Sequence, residues 1–427
     1  MVDNNGAYST FQRRIFLFDV DGVIVNPIAY RLGITKTLTA LCKKIGLTDM
    51  PSILPTEAEV SAMESQGVHD VWDMTNIMFC DILTTIAVQN NVTLDHPPAR
   101  DLSVRLAGSK VQNSDGIDEV LSPLSSVHTS TIRPDYMTLA KEMAVNDTHN
   151  HPPDIALQLF SQKLLPVAQS SYWLELLKHF LIGTRSVYSS LGTRLFQNII
   201  LGSKNFEETY ELKSTYEGAG LLETADKTLI SKETVDKLKE LSRDAVNSVG
   251  VYTARPSLPP THAKISCVGY SPEAEIALDN AGMRSFPLIA MGMMEWLAKE
   301  HGQRTEDLTK PNSTQAVAAL INTITQGQDV LALNEAYAID KQQKDPETTS
   351  LATIKEANTI IYVFEDTISG IVPLLKTTEL LQSRGFNIKL EPLGIAHERS
   401  KRGALEQYCK QVFGNVNDAF ASITPGK

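Results

Sequence analysis

Four short, largely apolar runs constrain this chain more than any other feature: Ile15 to Val20, Ser248 to Thr253, Ile360 to Phe364 and Ile388 to Ile395. A strand with one wet face alternates apolar and polar residues, whereas runs like these suit strands buried on both faces, as in a parallel sheet. Helical patterns separate the later runs. Val317, Leu320, Ile321 and Ile324 fall on one helical face, and Ser271 to Gly282 reads as a helix with Ser271 as N-cap, Pro272 at the first helical position and Gly282 as the stop. Strands alternating with helices predict an open α/β sheet, whose ligand site lies at the carboxyl ends of the strands.

At 427 residues the chain exceeds a single core and divides into about two or three domains. From Asn26 to about Asp244 the pattern turns helical. Ile34, Leu38, Leu41 and Ile45 line one face and Gly46 stops it, while Trp173, Leu176, Leu177 and Phe180 form a stripe within Tyr172 to Leu181. The expected organisation is a discontinuous α/β core, residues 1–25 and 245–427, with an inserted helical domain at 26–244. Leu94 to Leu165 is rich in Pro, Ser, His and Asp with weak periodicity, and Asp340 to Thr349 reads as a solvated excursion.

Charge and composition exclude several classes. Lys and Arg total 39 against 50 Asp and Glu, a net charge of −11, so no footprint for nucleic acid or anionic lipid is visible. Cys42, Cys80, Cys267 and Cys409 are far apart and suggest neither a disulfide framework nor a zinc site. Met1 to Gln12 lacks the regions of a signal peptide, and no later apolar run approaches the roughly 18 residues of a membrane span. A cytoplasmic protein is expected, which makes the glycosylation triplets at Asn91, Asn146 and Asn312 coincidental. No heptad or apolar stripe specifies an oligomeric partner.

The strand ends carry the chemistry. Asp19 and Asp21 flank Val20 and lie on one face of an extended chain, so both carboxylates converge once the strand ends at Gly22. Thr253, Glu365 and Asp366 close two other runs. Around a phosphate, Asp19 is placed to attack phosphorus and form an aspartyl-phosphate, with Asp21 as general acid and then general base. Facing carboxylates repel a phosphate, so a cation is needed, and hard oxygen donors favour Mg²⁺. Its expected ligands are Asp19, Asp21, Glu365, Asp366 and the backbone carbonyl of Val20. Lys310 adds a fixed positive charge, and Thr253, Gly22, Ala254 and Lys310 are the expected phosphate contacts.

Asp19-Val20-Asp21-Gly22, Thr253, Lys310-Pro311 and Glu365-Asp366-Thr367 with Gly370-Ile371 resemble, in order and strand context, the four motifs of the haloacid dehalogenase superfamily. The resemblance implies a Rossmann-like core, Mg²⁺ dependence, and phosphatase or phosphomutase chemistry through Asp19, Asp21, Thr253, Lys310, Glu365 and Asp366. Thr253-Ala254-Arg255-Pro256 resembles the Thr-Gly-Arg-Pro form of the second motif in one microbial branch. A helical cap inserted after the first motif is also a family feature. Within it, Gly67 to Asp73 resembles the Asp-Trp segment that relatives direct toward the site, which makes His69, Asp70, Trp72 and Asp73 candidate substrate contacts, while Arg255 either touches substrate or pairs with an acid in its loop. A turn with Trp and carboxylates suits a sugar or polyol, although Trp72 also fits a core anchor. His149 and His151 have a metal-like spacing but fit a solvated loop better.

These features predict a Mg²⁺-dependent phosphomonoester hydrolase acting on a small phosphorylated metabolite. A phosphomutase would use the same residues while excluding water, and a sugar-phosphate sensor would keep the core without turnover. Asp21 argues against a dehalogenase, which needs no second aspartate on a leaving alcohol.

Overall fold

A computed structural model describes residues 13–90, 116–124, 132–145, 151–396 and 399–424. Two compact units divide the chain, one of residues 1–27 with 226–427 and the other of residues 28–225.

The first unit is built on a six-stranded parallel sheet. Its strands are β1 (Arg13–Phe18), β4 (Asn247–Tyr252), β5 (Leu288–Ile289), β6 (Thr359–Glu365), β7 (Ile388–Ile395) and β8 (Gln411–Phe413), in the order β5-β4-β1-β6-β7-β8. Counting only these six along the chain, that is the doubly wound order 3-2-1-4-5-6. The order reverses between β1 and β6, and the crevice outside the carboxyl ends there is where such sheets bind ligands. Burial explains why the expected runs became strands. Every residue of β4 is buried, as are the last four of β1, and the Phe18 and Phe364 rings stack 4.2 Å apart across the β1–β6 pair. β7 departs from the expectation of burial on both faces, because Lys389 is exposed and ion-paired with Glu391.

The helix Ser313–Ile324 carries the anticipated apolar face against the sheet, with Val317, Leu320 and Ile321 buried. The expected helix after Ser271 begins later. It spans Glu273–Asn280 with Pro272 at the N-cap, and the Ser271 hydroxyl donates to the Glu273 carboxylate at 2.9 Å. Of the expected excursion Asp340 to Thr349, Lys341 to Asp345 is exposed, but Asp340 ends the helix Asp329–Asp340, and Pro346 and Thr349 are buried.

The second unit is helical. Ile28–Lys44, Val71–Asn90, Ser170–Leu181 and Leu191–Tyr210 are its main helices, and Ile34, Leu38, Leu41, Trp173, Leu176, Leu177 and Phe180 are buried as their spacing predicts. Its span is shorter than the expected 26–244. Two short strands, β2 (Val25–Asn26) and β3 (Lys227–Thr228), pair antiparallel, and they and the helix Lys232–Leu241 belong to the first unit. That helix reads like its neighbours in sequence, but it buries Val235 and Leu238 in the core of the sheet unit.

Among the described residues, Val71–Gln89 is long and apolar enough to cross a membrane, contrary to the expectation that no run approaches that length. Most of it is buried, including the polar Asp73, Asn76, Asp81 and Thr84, so it is a core helix of its unit. Within Leu94 to Leu165, the helices Gly116–Leu121, Tyr136–Val145 and Pro152–Leu164 are described. Asn91, His96, Asn146 and His149 lie outside the described residues.

Candidate active site

Four separated segments of the sheet unit deliver their acids and bases to the switch point. Asp19 directly follows β1, and its N–H continues the ladder by donating to the Phe364 carbonyl at 3.0 Å. Thr253 follows β4 in the same way, donating to the Ile289 carbonyl at 3.0 Å. Glu365 ends β6 and Asp366 comes next, so register alone sets these groups side by side.

Lys310 enters from the segment before the helix Ser313–Ile324 and ties the acids together. Its Nζ lies 2.8 Å from Asp19 Oδ1 and 2.8 Å from Glu365 Oε1, and all three side chains are less than a tenth exposed. The third direction meets the Tyr252 carbonyl at 3.4 Å, and the ammonium stands 3.7 Å from the centre of the Tyr252 ring. With its protons spent on these acceptors, Lys310 is a buried bridge between Asp19 and Glu365 more than a phosphate contact. Gln315 fixes its backbone, accepting from the Lys310 N–H at 3.0 Å while donating to the Thr253 carbonyl at 2.8 Å. The hydroxyl oxygen of Thr253 accepts the Arg255 N–H at 3.2 Å, which leaves the hydroxyl proton to donate. Ala254 lies on the exposed rim beside it.

Carboxylate oxygens of Asp19, Glu365 and Asp366 all lie within 4.8 Å of one another. Burial pushes the Asp19 carboxyl well up, and Glu365, Asp366 and Asp21 add to this while the Lys310 ammonium opposes it. Asp366 is pushed up to about 6, by burial first and Glu365 second, against the pull of Lys401. One buried ammonium therefore serves several crowded carboxyls. A divalent cation fits this donor set, since hard oxygens are its preferred ligands and its charge offsets their repulsion. Glu365 is the most committed of the three: Oε1 accepts from Lys310, and Oε2 accepts from the Thr367 N–H at 2.9 Å and its hydroxyl at 3.1 Å. Asp366 meets Lys401 through Oδ2 at 2.9 Å. Asp366 and Asp19 are thus better placed than Glu365 as direct ligands.

Two expected ligands are corrected. The Val20 carbonyl accepts the Ile24 and Val25 N–H groups, both at 2.9 Å, because the chain reverses tightly after Asp19. It is turned into that loop and is not a cation donor. Asp21 stands outside the carboxylate cluster, with Oδ1 accepting from Arg255 Nε at 2.8 Å. Of the two readings open for Arg255, pairing with acids is the one seen: its side chain is 1% exposed and also holds Asp226 Oδ2 at 2.9 Å.

The remaining candidates gather at the start of one helix in the helical unit. Asp70 Oδ1 accepts the N–H groups of Trp72 and Asp73, capping Val71–Asn90. Asp73 is buried, accepts the Thr184 hydroxyl, and lies 3.4 Å from both Arg185 and His151. Burial raises its carboxyl, with Asp70 adding to the effect. Trp72 is half-buried and donates its indole N–H to Gln197 at 3.3 Å, while His69 is exposed. Sequence reasoning missed Tyr252, Gln315, Asp226 and Lys401 in one unit and Thr184 and Arg185 in the other. No local pattern marks them, because each acts on a partner distant in the chain.

No family model matches this sequence, and no curated protein does. A crystal structure determined by the Northeast Structural Genomics Consortium is similar in fold, with a TM-score of 0.60 at 15% identity over 96% of this chain and 98% of that one.

Proposed function

We propose that this chain is a phosphomonoester hydrolase of the haloacid dehalogenase type, with Mg²⁺ as its cation and a small phosphorylated metabolite, foremost a sugar or polyol phosphate, as substrate. One observation carries the reading: Asp19, Thr253, Lys310 and Glu365, from four separated segments, meet at the carboxyl ends of the sheet beside its switch point. A structural ion cluster would not need a threonine hydroxyl and a half-buried second aspartate at the same strand ends.

With Oδ1 held by Lys310, Asp19 attacks phosphorus through Oδ2. The bond from phosphorus to the ester oxygen breaks as Asp21 gives that oxygen a proton, which releases the alcohol and leaves a phospho-aspartate. Asp21 then takes a proton from water as the water oxygen attacks phosphorus. The bond to Asp19 breaks, phosphate leaves and the Asp19 carboxylate is regenerated. Thr253 donates its hydroxyl to a transferring oxygen, and Lys310 keeps Asp19 and Glu365 in register throughout. Asp19 and Asp366, with Glu365 behind them, would hold a cation, which when bound would offset the charge of the phosphoryl group.

Within the helical unit, Trp72, His69 and Arg185 offer a ring edge and polar groups of the kind that suit a sugar or polyol. Asp70 and Asp73 are engaged within that unit and act by orienting Arg185 and the helix start. A cytoplasmic setting agrees with the free thiols of Cys42, Cys80 and Cys409, which are buried.

The test incubates purified protein with Mg²⁺ and a panel of phosphorylated sugars, polyols and other metabolites, beside Asp19→Asn. Phosphate release that is abolished in the variant supports the hydrolase. Isomerised product without release points to a mutase, saturable binding without turnover points to a sensor, and unchanged activity in Asp19→Asn refutes the mechanism.

A further inference from the structure

We infer that Asp226 is a positioning residue, the reserve counter-ion that keeps Arg255 paired so that Asp21 is free to leave it and handle protons; the inference rests on the role of Asp21 proposed above. Three side chains of the sheet unit form an ion triad around a buried guanidinium. Arg255 Nε donates to Asp21 Oδ1 at 2.8 Å, and Arg255 Nη2 lies 2.6 Å from the same oxygen and 2.9 Å from Asp226 Oδ2. The guanidinium is 1% exposed, so it must have an anion beside it at all times.

Its two anions are not equivalent. Asp226 is 2% exposed and immediately precedes β3, whose pairing with β2 anchors the backbone next to it. Asp21 is 35% exposed and rides on the tight turn after Asp19, where the Gly22 N–H donates to the Val25 carbonyl at 2.8 Å. One acid is therefore fixed on the guanidinium, while the other reaches solvent and the reacting face.

This asymmetry resolves a conflict in the chemistry. A carboxylate clamped by a buried arginine cannot also deliver a proton to a leaving oxygen and accept one from water. If Asp21 were the sole partner, its departure would strand a buried cation, a heavily penalised state. Asp226 removes that penalty because the charge remains compensated when Asp21 turns away. Removing the Asp226 charge should lock Asp21 onto Arg255, and removing Arg255 as well should release it again.

Thermal melts test the charge relationship without any assay of activity. Asp21→Asn and Asp226→Asn are each expected to lower the melting temperature modestly, since the other acid still pairs Arg255. The double variant is expected to fall below the sum of the two shifts by at least about 3 °C. Additive shifts would overturn the inference. Kinetics with Mg²⁺ then test the role, using p-nitrophenyl phosphate, whose leaving group needs little protonation, and glycerol 2-phosphate, whose leaving group needs it. Asp226→Asn is expected to lower kcat on the alkyl ester at least about tenfold more than on the aryl ester. Adding Arg255→Gln should restore part of that loss. Equal losses on both esters, or a further loss on adding Arg255→Gln, would refute it. If wild-type protein hydrolyses neither these esters nor any member of the metabolite panel, the hydrolase reading fails while the melts still decide whether Asp226 is the reserve counter-ion.

Discussion

Gly22 lies against the carboxylate of Asp366: at φ +75°, a Cβ added to it would run into Oδ2 and Cγ of that side chain. The first strand's turn and the acid that follows β6 are thus packed in mutual contact, and no other residue type satisfies both the backbone and the space.

Gly22→Ala should therefore weaken cation binding. The left-handed backbone alone costs about 1–2 kcal/mol for a residue with a Cβ, and Asp366 must also shift. Calorimetric titration with Mg²⁺ is expected to give at least about tenfold lower affinity, with Asp366→Asn as the comparison. Unchanged affinity in the alanine variant would show that Asp366 is not a ligand.

Lys310→Met removes the ammonium shared by Asp19 and Glu365 and leaves both carboxyls buried without it. Breaking a buried pair from one side costs about 3–5 kcal/mol. Urea unfolding should show a loss of that order together with loss of turnover, and a stability change below about 1 kcal/mol would mean that the bridge is not formed in solution.

Tyr252 supports Lys310 with its ring and donates its hydroxyl to the Gly370 carbonyl. Tyr252→Phe keeps the ring and forfeits the hydrogen bond, an expected cost of about 1 kcal/mol. Tyr252→Leu forfeits the cation–π contact as well and should be worse by about 1–2 kcal/mol. Chemical denaturation of the two variants side by side separates the contributions, and equal losses would assign no role to the ring.

Glu275 makes stability depend on pH away from the site. Burial pushes its carboxyl up to about 7 from an ordinary 4.5. The folded chain then holds more protons than the unfolded chain between these values, so stability is highest below the lower one and falls as pH rises toward the upper. The full effect is roughly 3 kcal/mol at about 1.4 kcal/mol per pKa unit. Urea midpoints at about pH 5 and pH 8 should differ less in Glu275→Gln than in wild type, whereas parallel profiles would show that the glutamate is ionised in the fold.

Asp19, Thr253, Glu365 and Asp366 were legible in sequence because buried parallel strands are continuous apolar runs, and a polar residue ending such a run must stand at a strand end. Lys310 follows no strand, and its place came through the resemblance of Lys310-Pro311 to a motif. Tyr252 read only as strand filler, since nothing along the chain reveals that its ring lies under an ammonium 58 residues away. Arg255 was open to two readings along the chain, substrate contact or pairing with an acid, and Asp226, 29 residues earlier, draws it inside. The boundary at Asp244 failed because amphipathic helices look alike whichever core they cover, and Lys232–Leu241 covers the sheet.

By itself, then, the sequence determined the four central strands of the parallel sheet and the residues at their ends, because hydrophobic periodicity and chain direction are local properties, whereas the short edge strands β5 and β8 carry too few residues to show a pattern. The tertiary structure alone decided how those ends are charged. It set Lys310 between Asp19 and Glu365, Lys401 on Asp366, and Arg255 between Asp21 and Asp226. Such pairings depend on distances through space between residues tens to hundreds of positions apart, and in a buried site those distances govern which carboxylate binds, attacks or carries a proton.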